Sequence, residues 1–151
     1  MSDHFLVIIP KDPHQALPSN ADDLRRALVG IAGGEESRVK DYGKLQFIDA
    51  GLNFERAQCP ACMSEIPKKD IWLTWMDKDW HGEEGFHLHK HQTPCCQTTT
   101  NLNDLHYTFP QGFAHWFISV RNTNRGPLTD EELESLEDMA GFGLRAISQM
   151  Y

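Results

Sequence analysis

Cys59-Pro60-Ala61-Cys62 and Thr93-Pro94-Cys95-Cys96 are the two stretches that decide how the middle of this chain folds, because they contain all four of its cysteines. A Cys-x-x-Cys turn directs two thiolates toward one tetrahedral ion, and a second cysteine group on a distant hairpin completes the ligand set. The sequence therefore predicts a structural zinc site, and the candidate ligands are Cys59, Cys62, Cys95 and Cys96.

The second stretch departs from the Cys-x-x-Cys pattern because its two cysteines are adjacent, and adjacent residues of an extended strand point to opposite faces. Aligning the two stretches pairs Thr93 with Cys59 and Cys96 with Cys62, which favours Cys96 as a ligand. Cys95 is then either the fourth ligand, held by a distorted turn, or a spare thiol. If it is spare, a water or a histidine fills the fourth position, and the candidate histidines are His87, His89, His91 and His106.

The compartment expected for the chain favours metal binding over disulfides or a redox pair. The apolar run at residues 5–9 is short, ends at Pro10 and follows no basic segment, so no signal peptide is predicted. No stretch approaches the roughly 20 apolar residues of a membrane span. We therefore expect a cytoplasmic protein with reduced thiols, in which paired cysteines favour metal.

The segment that carries the cysteines reads as an insertion. Between the two cysteine groups, apolar residues recur at the spacing of a short amphipathic helix, at Ile71, Trp72, Trp75, Met76 and Trp80. Phe86 and Leu88 begin a predicted strand that leads to Cys95. Beyond Cys96, Leu105, Tyr107 and Phe109 alternate with polar residues, as in a second strand. We predict one domain spanning residues 1–151, in which residues 58–110 form a zinc-ribbon-like module.

Upstream of the module, the pattern is strand, helix and strand. Residues 5–9 form a β-branched apolar run typical of a buried strand. Asn20 is a candidate N-cap for a helix that ends at Gly33. Apolar and polar residues then alternate over residues 45–54, which predicts two strands around a turn.

Downstream of the module, the same order repeats. Residues 113–120 fit both a strand and a helical stripe, and we favour the strand. Thr129 and Glu132 form a capping box that starts a helix, Gly141 ends it, and residues 144–151 favour a closing strand. Two strand-helix-strand halves around the insertion predict an α+β fold with a ferredoxin-like sheet.

Several motifs resemble an uncharacterised bacterial protein family from about Phe54 to the end of the chain. They are Cys59-Pro60-x-Cys62, Thr93-Pro94-Cys95-Cys96, Leu102-Asn103-Asp104-Leu105-x-Tyr107, Pro110-x-Gly112-Phe113-Ala114, and the C-terminal set Gly141, Leu144-Arg145, Ile147 and Tyr151. The resemblance implies no stated activity. In sequences of this type a glycine commonly follows the double cysteine, where this chain has Gln97.

The net charge of the chain indicates which class of partner it would bind. The chain has 22 acidic and 14 basic residues, a formal net charge of −8, which opposes nucleic-acid binding and favours a basic partner. Near the C-terminus the acidic residues concentrate, and the predicted partner-binding set is Asp130, Glu131, Glu134, Glu137 and Asp138. We therefore predict a non-catalytic, zinc-stabilised binding protein, such as an immunity protein that neutralises a basic bacterial toxin.

Two other functions are weighed beside this one. A zinc-dependent enzyme is suggested by His81-Gly82-Glu83, which matches the His-x-Glu of zinc deaminases, but the Cys-x-x-Cys here lies upstream of that motif instead of downstream. A regulatory or nucleic-acid-binding zinc ribbon is suggested by Trp72, Trp75 and Trp80, which would stack on bases if exposed. The histidines at 87, 89 and 91 also fit a second metal site if they share one face of a strand.

Overall fold

The computed structural model describes residues 3–151, and within that range the chain forms a mixed α+β fold with antiparallel sheets and three α-helices. The strands are β1 (His4–Pro10), β2 (Ser37–Ile48), β3 (Ala57–Gln58), β4 (Glu65–Ile66), β5 (His91–Gln92), β6 (Thr99–Thr100), β7 (His106–Tyr107), β8 (Gly112–Arg121) and β9 (Leu144–Met150). The helices are α1 (Ala21–Ala32), α2 (Leu73–Asp79) and α3 (Asp130–Ala140). Residues 1 and 2 of the predicted domain lie outside the described range.

The largest sheet has the order β2-β8-β1-β9, and every neighbouring pair is antiparallel. Helix α1 connects β1 to β2, and α3 connects β8 to β9. Both helices pack on one face of the sheet, where Leu24 and Leu28 of α1 and Leu136 of α3 meet Trp116 and Ile118 of β8. Burial of these fully enclosed apolar side chains is the main stabilisation of this layer.

The opposite face of this sheet has a second apolar cluster. Val7 and Ile9 of β1 are buried there beside Ile147 of β9. Phe5 and Phe117 are partly buried and pack against the same cluster. Successive residues of β1 are therefore buried on opposite faces of the sheet. A continuous apolar run predicts this arrangement for a central strand.

Local signals in the sequence locate the ends of the helices. The backbone N–H of Glu132 donates to the Thr129 hydroxyl at 3.2 Å, and the Thr129 N–H donates to the Glu132 carboxylate at 2.9 Å, so the predicted capping box is confirmed. Gly141 ends α3 in the left-handed conformation with φ 87°. Asn20 stands at the N-cap position of α1 as expected, but its side chain makes no capping hydrogen bond. Its amide N–H donates to the Met139 carbonyl at 2.9 Å and joins the two helices.

Two predicted strands are wrong. Residues 52–54 form a turn, since the carboxylate of Asp49 accepts the Gly51 N–H at 2.9 Å and Gly51 has φ 63°, which redirects the chain. Leu52 is left 74% exposed. The strand expected from Phe86 onward is reduced to one bridge between Phe86 and Trp80, after which the chain is irregular as far as β5.

The segment between β2 and β8 forms two small sheets, β4-β3-β7 and β5-β6. The expected helix is present as a π-helical turn at Lys68–Trp72 followed by α2. Ile66, Trp72 and Tyr107 share one core with Leu45 of β2 and Phe113 of β8. The segment is therefore packed onto the end of the main sheet, and this packing fixes the position of the cysteines.

Candidate metal centre

The first cysteine turn lies in the β3–β4 hairpin. The Cys59 N–H donates to the Ser64 carbonyl at 2.8 Å, and the Met63 N–H donates to the Cys59 carbonyl at 2.9 Å. Met63 has a positive φ of 63°, which an L-residue adopts only where the surrounding structure requires it. These contacts hold Cys59 and Cys62 on the same side of a tight turn.

The second turn lies in the β5–β6 hairpin and repeats this pattern. The Thr93 N–H donates to the Thr98 carbonyl at 3.0 Å, and the Gln97 N–H donates to the Thr93 carbonyl at 2.9 Å. Gln97 has φ 59°, the left-handed conformation that glycine adopts most readily. Thr93 therefore stands where the first turn has Cys59, and Cys96 where it has Cys62, as the alignment of the two stretches indicates.

The four cysteine sulfurs lie within 4.8 Å of one another and could hold a metal ion. The Sγ atoms of Cys59 and Cys96 are 3.7 Å apart, those of Cys62 and Cys95 3.3 Å, and those of Cys95 and Cys96 3.9 Å. Tetrahedral zinc with Zn–S bonds of about 2.3 Å requires sulfurs about 3.8 Å apart. Both adjacent cysteines reach the cluster because they lie in a turn, where the alternation of an extended strand does not apply.

Hydrogen bonds prepare two of these sulfurs for metal binding. A hydrogen bond from the backbone N–H of Cys62 lowers the pKa of the Cys59 thiol. The Thr98 hydroxyl, 3.0 Å from Sγ of Cys96, lowers the pKa of Cys96 to about 6. Thiolate is the form of cysteine that coordinates metal, so the lowered pKa values of Cys59 and Cys96 favour metal binding.

Cys95 behaves in the opposite way. The Thr93 hydroxyl lowers the pKa of Cys95, but burial and the neighbouring Cys62 and Cys59 outweigh it and raise the pKa to about 11. Several thiols this close cannot all lose their protons unless a cation compensates the charge. A divalent metal ion is the group that would let Cys95 ionise beside the others.

Thr93 is a residue of the site to which sequence reasoning gave no role of its own. Its side chain is buried, and Oγ1 accepts the Thr98 N–H at 3.1 Å. The same oxygen lies 3.7 Å from Sγ of Cys59 and 3.6 Å from Sγ of Cys96. The hydroxyl is therefore a neighbour of two sulfurs, at the place where a symmetrical pair of turns would have its fourth cysteine.

The histidines considered as alternative ligands lie elsewhere. Nε2 of His91 is 3.0 Å from the buried carboxylate of Asp79, and its ring stacks on Trp75 at 4.6 Å. Nδ1 of His106 is 3.0 Å from the Gln58 side-chain oxygen. His87 and His89 form a separate cluster with His81. The expectation that 87, 89 and 91 share one strand face is wrong, because residues 87–90 form no strand.

The acidic residues predicted to bind a partner do not all face solvent. The exposed members of the set are Asp130, Glu131, Glu134 and Asp138. The carboxylate of Glu137 accepts the Leu144 N–H at 2.8 Å and lies 3.8 Å from the ammonium of Lys11. Glu137 therefore fastens the end of α3 to β9.

The tryptophans proposed to stack on bases are mostly buried. Trp72 and Trp75 belong to the core between the inserted segment and the main sheet. The indole N–H of Trp72 donates to the Tyr107 hydroxyl at 3.2 Å. Trp80 is 48% exposed, and a single exposed ring is not a stacking platform.

Comparison of the chain with protein-family models, with curated proteins and with solved structures finds no match. The resemblance of residues 54–151 to a bacterial family therefore stays a prediction. Among the helices of residues 3–151, none has the length and apolar character needed to cross a bilayer.

Proposed function

We propose that this protein is a non-catalytic binding protein whose inserted segment is stabilised by zinc and whose acidic helix captures a basic protein. The observation that carries the proposal is the set of four cysteine sulfurs gathered within 4.8 Å of one another. Four protein thiolates fill every position of a tetrahedral ion, which is the arrangement of structural zinc sites. Catalytic zinc keeps one position for water or substrate, so this site favours scaffolding over chemistry.

Two finer structural assignments belong to the same proposal. The matching hydrogen bonds of the two cysteine turns support a zinc-ribbon-like module, in which two hairpins share one ion. The strand order β2-β8-β1-β9, with α1 and α3 as crossovers on one face, supports a ferredoxin-like main sheet. In this arrangement the module replaces the short connection between the second and third strands of the sheet.

The proposed contact surface is the exposed face of α3. Its members, spaced so that they share one side of the helix, are Asp130, Glu131, Glu134 and Asp138. No Lys or Arg occurs in the last turn of α3, and Glu132 is already paired with Arg125 at 2.6 Å. Within residues 3–151 these four carboxylates form no salt bridge, and such a row along about two turns favours a partner with a basic patch, such as a toxin that acts on nucleic acid.

The experiment is co-expression of the full chain with the product of each neighbouring gene, followed by size-exclusion chromatography and titration calorimetry at two salt concentrations. The test variant carries Glu131→Lys, Glu134→Lys and Asp138→Lys. The matched control carries Glu55→Lys, Glu65→Lys and Asp70→Lys, which are exposed and change the net charge equally.

We expect a basic partner whose binding weakens as salt increases. The helix variant should lose at least about tenfold in affinity and most of its salt dependence, while the control changes by about twofold or less. Equal losses in both variants would assign the effect to net charge and remove α3 from the proposal. Absence of any basic partner among the neighbouring products would refute the proposed function.

A further inference from the structure

A second group of potential ligands lies outside the cysteine cluster. Three imidazoles, those of His81, His87 and His89, bring one ring nitrogen each within 4.8 Å of the others. Nε2 of His81 is 3.0 Å from Nε2 of His89, and the rings of His81 and His87 are stacked with centroids 3.9 Å apart. All three side chains are exposed.

The backbone holds this arrangement before any ligand arrives. The loop from His81 to His87 is closed by the His81 N–H donating to the Gly85 carbonyl at 2.8 Å and by the His87 N–H donating to the Asp79 carbonyl at 2.8 Å. The His89 N–H then donates to the His87 carbonyl at 3.0 Å, a tight turn that returns the third ring to the first two. These bonds lower the entropy cost of assembling three ligands.

The loop is also anchored to the main sheet. The Phe86 N–H donates to the Leu45 carbonyl at 2.9 Å, and the ammonium of Lys44 donates to the Glu83 carbonyl at 2.9 Å. The rings of Trp80 and Phe86 pack together with centroids 5.1 Å apart, and the backbones of these two residues form a β-bridge. The loop that carries His81 and His87 is therefore held in place by hydrogen bonds to β2.

We propose that His81, His87 and His89 form a second metal site, separate from the cysteines, that binds a divalent transition-metal ion of the zinc and copper type. Metal–nitrogen bonds of about 2.0–2.1 Å in a tetrahedron require nitrogens about 3.4 Å apart, within the range spanned by this cluster. Imidazole ligands suit zinc, copper and nickel, whereas calcium and magnesium require oxygen ligands. Three protein ligands on an exposed surface leave a position for water or another small ligand.

His91 marks the boundary of the site. It is the next histidine along the chain, but its contact with Asp79 and its stacking on Trp75 turn it into the core. His81 takes its place because the loop from 81 to 87 closes on itself. The fold therefore determines which three histidines form this site, and their spacing in the sequence does not.

The test uses the full chain with its cysteine site first loaded with one equivalent of zinc. Copper(II) is then titrated and followed by calorimetry and by electron paramagnetic resonance, which detects coordinated imidazole nitrogen. The variants are His81→Ala, His87→Ala and His89→Ala, and the control is His14→Ala, an exposed histidine outside the cluster. Circular dichroism and zinc content establish that each variant is folded.

The wild-type protein and the His14→Ala control should bind one copper(II) ion with nitrogen hyperfine splitting. Each cluster variant should lose about a hundredfold or more in affinity, the share of one ligand in a site of this kind, and should retain its zinc. Equal copper affinity in all four variants would overturn the proposal and leave the imidazoles as a hydrogen-bonded pair with a stacked neighbour.

Discussion

Moving the fourth sulfur from position 95 to position 93 should preserve the cysteine site, whereas removing it should not. Oγ1 of Thr93 already lies 3.7 Å from Sγ of Cys59 and 3.6 Å from Sγ of Cys96, close to the separation of sulfurs around zinc. A cysteine at 93 would therefore point its sulfur at the same ion. The variant Thr93→Cys with Cys95→Ala would carry two regular Cys-x-x-Cys turns.

The magnitude follows from the free energy of a structural zinc site, which is about 10–16 kcal/mol for four ligands. An equal share is about 3 kcal/mol for each thiolate, which corresponds to about a hundredfold in the dissociation constant. We expect Cys95→Ala alone to weaken zinc binding by that factor. The double variant should recover most of the loss, because the backbone of both turns has the same hydrogen bonds.

The assay is competition for zinc against a chromophoric chelator at fixed pH under reducing conditions, with cobalt substitution to count thiolates from the sulfur-to-metal charge-transfer bands. Unchanged affinity in Cys95→Ala would make Cys95 a spare thiol. A double variant no tighter than the single one would refute the equivalence of Thr93 and Cys59.

Three further predictions concern the scaffold. Leu136→Ala should cost about 2–5 kcal/mol in urea unfolding, because Leu136 is the buried anchor of α3, and a cost below about 1 kcal/mol would contradict that role. Gly85→Ala should destabilise more than Gly43→Ala, since both have positive φ but a Cβ at 85 would collide with a backbone carbonyl of β2; equal melting temperatures would refute this. The Arg125 guanidinium holds the pKa of Glu132 at about 2, below its ordinary 4.5. The stabilisation from Glu132 is therefore complete above about pH 4.5 and is lost as pH falls toward about 2, so the melting-temperature gap between wild type and Glu132→Gln should close over that window.

The parts of the fold that the sequence predicts are those decided by a few neighbouring residues. The capping box at Thr129 and Glu132 involves four consecutive positions, and Gly33 and Gly141 end helices through their own backbone freedom. Such signals need no knowledge of distant contacts. The grouping of the cysteines predicts which residues form the cluster, whereas the packing of the segment onto the main sheet brings the two turns together.

The sequence-based predictions fail where contacts between residues that are distant in the sequence determine the local structure. Asn20 is a suitable cap, yet the carbonyl of Met139 on another helix takes its amide. The spacing of histidines groups 87, 89 and 91, but His91 is drawn to the buried carboxylate of Asp79. The signal that could have identified His81 is the pair Gly82 and Gly85, both with positive φ, which closes the loop between His81 and His87.

The packing of the inserted segment between β2 and β8 has a consequence for how the protein folds. These strands are hydrogen-bonded neighbours, so the chain must close a long excursion before they can pair. An ion shared by the turns at 59–62 and 95–96 would act as a reversible cross-link that about halves the length of this excursion. Each halving of a loop lowers its closure cost by about 0.6 kcal/mol, and the closure of long loops slows folding. Bound metal would then speed assembly of the sheet by about threefold, even in conditions where the finished fold tolerates metal loss.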